Sequence, residues 1–253
     1  MAETTGRRRR TAAPFAVRPI EALLTAALLG LAPLPAVAAD LSAGQVAGKI
    51  KAAGDRPADL AGLDLAGLDL AGLDLKGANL RGSRLDRANL EGADLTGANL
   101  DLVILRDAAL KGARLRGASA FQAVFSGADL TGADLGGANL VAKFERSDLA
   151  GANLAGANLA ADMTNQSMGL MRAHLTKANL KGANLNGAKL ARCTAEFADF
   201  AGADLRGADL SRCELAGANF KGADLTRADF SGADLQGASF GGAIGRAQAT
   251  GLD

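Results

Sequence analysis

Leucine or phenylalanine recurs every five residues along most of the chain. The series keeps one register over 60–140 and is shifted one residue earlier over 144–159. It returns to the first register over 175–240. Of these 35 central positions, 33 hold Leu or Phe, and Ala occupies 27 of the positions two residues earlier. The unit is A-[D/N]-L-x-G, as in GADLTGANL at 92–100. A period of five fits neither an α-helix nor a flat β-strand, whose side chains repeat about every 3.6 and 2.0 residues.

The period predicts a chain that turns at the end of every unit. If four units close one square coil, each Leu or Phe and the Ala before it point inwards and stack on the next rung, about 4.8 Å away. Glycine suits the sharp corner, and the outward Asp or Asn can bond local backbone groups. The 35 units then make nearly nine coils, in a rod about 40 Å long.

This repeat resembles that of the pentapeptide-repeat family, and the match covers residues 58–242. The resemblance implies an all-β fold, a right-handed quadrilateral β-helix with four faces, an internal Leu/Phe ladder and no enclosed cavity. It also implies one candidate activity. Some pentapeptide-repeat proteins are shaped and charged like duplex DNA and bind DNA gyrase, which they protect from inhibitors.

The segment 40–57 is predicted to be a short capping helix followed by a linker. Val46, Ile50 and Ala53 fall on one helical face, and Ser42 is a suitable N-cap. Such a helix would cover the first rung, which otherwise exposes apolar side chains and unpaired backbone. Three inward positions of the first coil hold Leu where later coils hold Ala, namely Leu63, Leu68 and Leu73. We expect them to fill the wider base under the helix.

Residues 1–39 have the order of a secretory signal peptide. A basic cluster at 7–10 precedes an apolar core at 23–31, and prolines and a run of small residues follow. The pattern predicts cleavage after Ala38 or Ala39. An uncleaved membrane anchor is the alternative, but the apolar core is short for a membrane span. We therefore expect a periplasmic or secreted protein with no stable membrane span after cleavage.

Deviations from the repeat indicate where a partner binds, because the coil itself does not require them. Within 101–107 and 118–125, apolar side chains take outward positions that normally hold Gly or polar residues. Together with one residue on the next rung they form a candidate partner-binding patch: Leu102, Ile104, Phe121, Val124 and Val141. A contiguous exposed apolar patch often marks a contact surface. Local repacking around the thin rung at Ala120 is the alternative.

The repeat breaks register near 141–174. One residue is lost before Phe144, and the register is regained between Leu159 and Leu175. Every methionine other than the first lies in this interval, at Met163, Met168 and Met171. A Met-rich loop would be an adaptable contact surface, whereas Met in a bulge would fill irregular core space. The sequence is compatible with either, and the three methionines join the candidate partner-binding residues.

Cys193 and Cys213 are the only cysteines, and both replace the inward Ala of units that lie one predicted coil apart. They are therefore predicted to face each other on adjacent rungs. A disulfide is one interpretation in an oxidising compartment, and two small apolar thiols are the other. Parallel Cβ vectors about 4.8 Å apart exceed the preferred disulfide range of about 3.5–4.5 Å, which favours free thiols.

Composition leaves little material for catalysis. The chain has one His, no Trp and no Tyr, and both cysteines are expected to point inwards, so a nucleophile and base cannot be paired. Asp columns such as Asp204 over Asp224 follow from the repeat itself and do not indicate a calcium ladder. We predict no enzyme activity, no catalytic or metal site, and no cofactor.

The charge balance separates the remaining functions. From Asp40 onward the sequence has 23 basic and 25 acidic residues, so it lacks both the positive excess of a nucleic-acid binder and the negative field of a DNA mimic. We predict an exported, non-enzymatic scaffold that presents a rigid, rod-like surface to an unidentified protein partner, and gyrase binding is the disfavoured alternative.

The basic band at 172–192 is expected to be a solvated face. The tail at 243–253 has no amphipathic pattern, so the last rung would be poorly covered or would pack on a second copy as a homodimer.

Overall fold

The structure is a computed structural model that describes residues 39–163 and 171–252. The predicted signal peptide, apart from its last residue, and Met168 lie outside these ranges. The described part starts at Ala39, which is the first residue of a compact unit. No helix in these ranges is long and apolar enough to cross a bilayer.

Each five-residue unit contributes one residue to a parallel β-bridge with the next rung. Asp59 pairs with Asn79, and Asn79 pairs with Asn99, so each bridge joins residues that are four units apart. Hydrogen bonds reinforce the bridges, since the Leu60 N–H donates to the Asn79 carbonyl at 2.8 Å. The bridges connect single residues, and the described residues form no strand longer than one residue, because the chain turns after every unit. The predicted square coil of four units is confirmed.

The coil has four faces, which we name by the central residues of the first coil. Face A begins with Leu60, face B with Leu65, face C with Leu70 and face D with Leu75. Following the bridges from rung to rung gives nine coils in the described chain.

The inward side chains form one continuous core along the axis. Every central residue from Leu60 to Phe230 is at most 1% exposed. The phenylalanines stack in columns, as predicted: the Phe200 and Phe220 ring centroids are 5.0 Å apart, and Phe240 lies 5.0 Å beyond Phe220. Each buried Leu or Phe contributes about 1.5–3 kcal/mol of transfer free energy, so repetition alone makes a large core.

Two local features shape each corner. The last residue of a unit lies in the left-handed region, as at Gly62 with φ of 68°, and glycine reaches this region without steric cost. The outward Asp or Asn then accepts a hydrogen bond from the backbone two residues on, as Asp129 Oδ1 does from the Thr131 N–H at 2.9 Å. The D/N and G of the repeat are therefore explained by the turn alone.

Helix α1, Ala43–Ala53, covers the first coil as predicted. Ser42 is the N-cap and forms a capping box with Gln45, and Val46 is fully buried against the coil. The inward residues Leu63, Leu68 and Leu73 are partly buried and pack on the same core as Ile50 and Ala53. The base under the helix is filled in the expected way.

The C-terminal segment differs from the predicted tail. Ile244 pairs with Asp224 and Thr250 pairs with Asp229, so the chain continues the coil beyond 243. A single turn of 3₁₀ helix, Arg246–Gln248, stands in place of a regular unit. The last central residues, Leu235 and Phe240, stay partly buried, so this end is less well covered than the other. The Arg246 guanidinium lies 5.2 Å from the Phe240 ring centroid.

The register break contains a loop. On face B, Val124 pairs with Lys143, and Lys143 pairs with His174. The first of these two coils is one residue short, and the second holds eleven residues more than a regular coil. Asp162 and Met171 close the base of the loop with an antiparallel bridge, in which the Asp162 N–H donates to the Met171 carbonyl at 2.7 Å.

The two cysteines face each other in the core as predicted, and no disulfide bond joins them in the structure. Their Sγ atoms are 2.7 Å apart, and the Cys213 thiol donates to the Leu190 carbonyl at 2.8 Å. Burial raises the pKa of the Cys193 thiol well above its ordinary value, and the contact with Cys213 raises it further. Neither thiol is accessible as a nucleophile.

We expect Leu210→Asp to unfold the coil. Leu210 is fully buried, and a carboxylate placed there has no partner, so the free energy of unfolding should fall by more than about 3 kcal/mol. Ile244→Asp is the matched control, because Ile244 is 61% exposed and occupies an outward position. Thermal unfolding followed by circular dichroism compares the two variants, and equal melting temperatures would show that the inward assignment is wrong.

The cysteines should resist alkylation in the folded protein. Iodoacetamide should leave the native mass unchanged and should add two groups after denaturation without reductant, because burial suppresses the thiolate. The Cys213→Ala variant should add one group under the same denaturing conditions. If the denatured, unreduced protein takes up no reagent, the pair is oxidised and the free-thiol assignment is wrong.

Candidate functional site

Face B differs from the other three faces in its outward column. On faces A, C and D, the residue before each central position is Asp or Asn at all but one or two of the regular rungs. On face B, seven of nine rungs depart from this rule. From the helical end the column reads Asp64, Arg84, Ile104, Val124, Lys143, His174, Thr194, Glu214 and Asp234.

The departures carry a local cost. On the other faces the short acceptor side chain supports the corner, as where Asn219 accepts from the Lys221 N–H at 3.2 Å. Ile104 and Val124 have no side-chain acceptor and cannot make this bond. Their presence is therefore not explained by the turn, and the two stack on each other across adjacent rungs through a β-bridge.

The corners on both sides of face B hold residues in strained conformations. Among the described residues ten that are not glycine have φ between 54° and 63°. The corner between faces A and B, the first edge, has Leu102, Gln122, Arg192 and Arg212, and the corner between faces B and C, the second edge, has Arg87, Asp107, Arg146, Lys177 and Phe197. The tenth, Arg227, lies on another corner. Each costs about 1 kcal/mol relative to glycine, so the strain is concentrated around one face.

The structure brings most of the predicted patch together beside this face. Leu102 is 48% exposed, and its N–H donates to the Phe121 carbonyl at 2.9 Å. Phe121, Val141 and Met163 line a groove of about 310 Å³. Ile104 and Val124 are half-buried on the adjoining face B. The apolar side chains named here lie on four successive rungs and border one surface region.

Val141 requires a correction, because it was expected to be exposed and is only 3% exposed. The unit around it has four residues, so the corner is tighter than elsewhere. The base of the loop, with Ala160 and Met163, borders the same groove. Val141 is thus the floor of the groove, and Phe121 and Met163 are its accessible sides.

The loop leaves the coil at the first edge of face B. Met163 is 42% exposed, and Met171 lies half-buried opposite Asp162 at the loop base. Met168 is outside the described residues. Two of the three predicted methionines therefore lie next to the apolar region.

Polar contacts dominate the half of face B nearer the C-terminus. Arg172 and Glu214 form an ion pair at 2.6 Å, and the His174 Nδ1 and Thr194 Oγ1 atoms are 3.0 Å apart. Burial lowers the pKa of His174 below its ordinary value, Glu145 opposes this shift, and Arg172 lowers the pKa further. The lowered pKa favours the neutral imidazole. In the described ranges no group of three or more His, Cys, Asp or Glu side chains could hold a metal ion.

Phe197 is an exposed aromatic residue outside the predicted patch. It is 63% exposed, has φ of 57°, and its ring lies over Gly217, where an added Cβ would come within 2.6 Å of the ring. The sequence already marks Phe197 as unusual, because a large apolar residue stands where the repeat normally has glycine. Once the units are assigned to the four faces, Phe197 falls on the second edge.

Replacing strained edge residues by glycine should stabilise the fold. The variant carries Leu102→Gly, Gln122→Gly, Arg146→Gly and Arg192→Gly. Relief of four left-handed conformations should raise the free energy of unfolding by about 1–3 kcal/mol, measured by denaturant titration.

The matched control places four glycines one residue earlier in the unit, where φ is not positive. It carries Ala61→Gly, Ala71→Gly, Ala191→Gly and Ala201→Gly, and should lose about 0.5–1 kcal/mol at each site. Equal destabilisation of the two variants would contradict the strain assigned to the edges.

Comparison with known proteins agrees with this geometry. The family model described as pentapeptide repeats matches in eight copies, over 58–87, 83–119, 108–141, 170–207 and 203–242. No curated protein shows significant similarity to the chain.

Two solved structures are similar to this chain. Full-length QnrB1, a plasmid-mediated fluoroquinolone resistance protein, is 23% identical over 71% of this chain and 92% of its own, with a TM-score of 0.57. HetL, involved in heterocyst differentiation regulation in the cyanobacterium Nostoc, is 29% identical over 83% of this chain and 94% of its own, with a TM-score of 0.41. The similarity to QnrB1 supports the right-handed β-helix fold. At 23% identity it says nothing about activity. With more than half of its length matched by the repeat model and a corner at every fifth residue, the chain belongs to the pentapeptide-repeat family.

Proposed function

We propose that the protein is a non-enzymatic, exported scaffold that binds a protein partner through face B. The observation that carries this proposal is the loss of the Asp/Asn column on this face alone. Residues that the turn does not require, such as Ile104 and Val124, are the ones available for recognition.

Strain and exposure on the same surface support the proposal. Left-handed residues other than glycine lie mainly along the two edges of face B, and Leu102, Met163 and Phe197 are exposed apolar side chains on or beside it. Strained residues persist where they serve a function other than stability. Apolar side chains clustered on a rigid support are typical anchors of a protein interface.

Gyrase binding, which is known in the family, has no specific support in this chain. A mimic of DNA needs a dense negative field, whereas this chain has nearly as many basic as acidic residues and several of its acidic side chains are paired with cations. Asp94, for example, lies 3.2 Å from Lys76 and 3.1 Å from Arg114. The similarity to QnrB1 concerns the fold, so its link to fluoroquinolone resistance is not carried over.

Export is proposed from the order of basic, apolar and small residues within the segment 1–39. The predicted cleavage after Ala38 or Ala39 coincides with the start of the compact unit at Ala39. Cleavage at either bond would leave Asp40 on the coil. There its N–H donates to the Asp64 carbonyl at 2.7 Å, and its carboxylate accepts from the Asp64 N–H.

Site-specific photo-crosslinking in the source organism tests the function and the compartment together. A benzophenone amino acid at Ile104 or Val124 should yield one discrete adduct, in which the scaffold begins at Ala39 or Asp40 and is found in the periplasmic or secreted fraction. Ala109 is the matched control, because it holds the equivalent outward position on face C.

Equal adducts from Ile104 and Ala109, or none from either face B position, would contradict the proposed face. A full-length scaffold confined to the cytoplasm would contradict export.

A further inference from the structure

We infer that the partner presents to face B an acidic segment with apolar anchor residues at one end. This inference rests on the proposed function and adds the chemistry of the partner. It follows from the distribution of charge along the face, which differs between its two halves.

Cations without ion-pair partners line both edges in the half of face B nearer the C-terminus. Arg146 and Lys177 are successive residues of the second edge, and Arg192 and Arg212 are successive residues of the first edge. Lys143 lies between the edges on the same face. Within residues 39–163 and 171–252 none of these five forms a salt bridge, whereas Arg84, Arg106 and Arg172 each do.

The acidic residues of the same half are fewer than these cations, and one of them is already paired. Glu214 is paired with Arg172 at 2.6 Å. Glu196 accepts from the Thr176 hydroxyl at 2.7 Å, and Glu145 accepts from the Ser126 hydroxyl at 2.8 Å. A hydroxyl donor leaves the carboxylate charge of Glu145 and Glu196 in place, and Asp234 at the end of the column forms no salt bridge within the described residues. Five unpaired cations therefore face three unpaired carboxylates, and the net charge of this half is positive.

The apolar region and the cationic rows are consecutive along one axis. The bridges connect Ile104 to Val124, Val124 to Lys143, and Lys143 to His174 on successive rungs. At about 4.8 Å per rung, the path from Leu102 to Arg212 is about 24 Å, which about seven extended residues span. A segment lying along face B would place apolar side chains by Ile104 and Phe121, and carboxylates between the two edges.

This surface suits an acidic protein segment better than the other occupants. In an antiparallel two-fold pair of copies the apolar half of one face would meet the cationic half of the other, and in a parallel pair the two cationic halves would repel each other. Nucleic acid is charged along its whole length and would leave the apolar half of the face without a complement, and an alternation of exposed aromatic side chains with cations is missing from the described part of face B. Carboxylates arranged between two cationic rows satisfy the electrostatic complementarity that sets partner choice.

The test is selection of a phage-displayed library of random twelve-residue peptides on the purified, folded chain. Enriched sequences should place Leu, Ile, Phe or Met next to a run of Asp and Glu. The best peptide is then synthesised with a fluorophore, and its affinity is measured by fluorescence anisotropy at two salt concentrations. Binding should weaken as salt rises, because four of the five cations are exposed.

Variants assign the binding to each half of the face. Lys177→Glu with Arg192→Glu should weaken binding at least tenfold, and Ile104→Ser with Val124→Ser should do the same. Lys111→Glu with Lys221→Glu is the control, since both lysines are exposed at the corner between faces C and D; it should leave affinity unchanged. Thermal unfolding of each variant shows that the coil is intact.

Two results would overturn the inference, and they differ in what they say about the proposed function. If the selected peptides lose binding in the Ile104 and Val124 variant but are not acidic and tolerate charge reversal, face B binds proteins and the acidic partner is wrong. If no peptide is enriched, or none responds to any face B variant, the acidic segment is wrong and the face itself loses its support.

Discussion

The stacking of equivalent side chains from rung to rung is the interaction on which the rest of this molecule depends. A central Leu or Phe is buried only because the coils above and below it present the same residue at the same place. The backbone bridges have the same requirement, since each rung satisfies the next. Neither the ladder nor the bridges can form in a single unit. The fold therefore tolerates wide variation in its outward residues and almost none in its inward ones, and the two ends need covers such as the helix Ala43–Ala53.

This dependence explains why so much of the fold could be predicted from the sequence. The five-residue period determines the corners, and the spacing of Cys193 from Cys213 and of Phe200 from Phe220 shows that four units complete one coil. The capping helix followed from ordinary helical periodicity. The path of 243–252 could not be predicted in the same way, because that stretch lacks the period and its bridges to Asp224 and Asp229 depend on tertiary packing.

The candidate site was predicted less completely, for a physical reason. Outward residues are recognised as unusual only after they have been assigned to a face, and the face depends on how the short coil and the long coil at the register break pair with their neighbours. Leu102 and Ile104 were identified from local composition, and Val141 was wrongly taken as exposed because a four-residue corner tightens the turn. Phe197 and the cations of the two edges are scattered in sequence and become neighbours only when the coil is closed.

The left-handed corner residues also determine which substitutions can be used to redesign such a surface. Among the ten that are not glycine, none is β-branched and none is proline, in keeping with the sterics of that region. At the corners of Gly62 and Gly67 an added Cβ would meet no atom within 4 Å, so an unbranched side chain can be introduced there at a cost of about 1–2 kcal/mol. Each edge is thus a row of exposed corner positions spaced about 4.8 Å apart. A chosen pattern of side chains could be introduced along it by substitution.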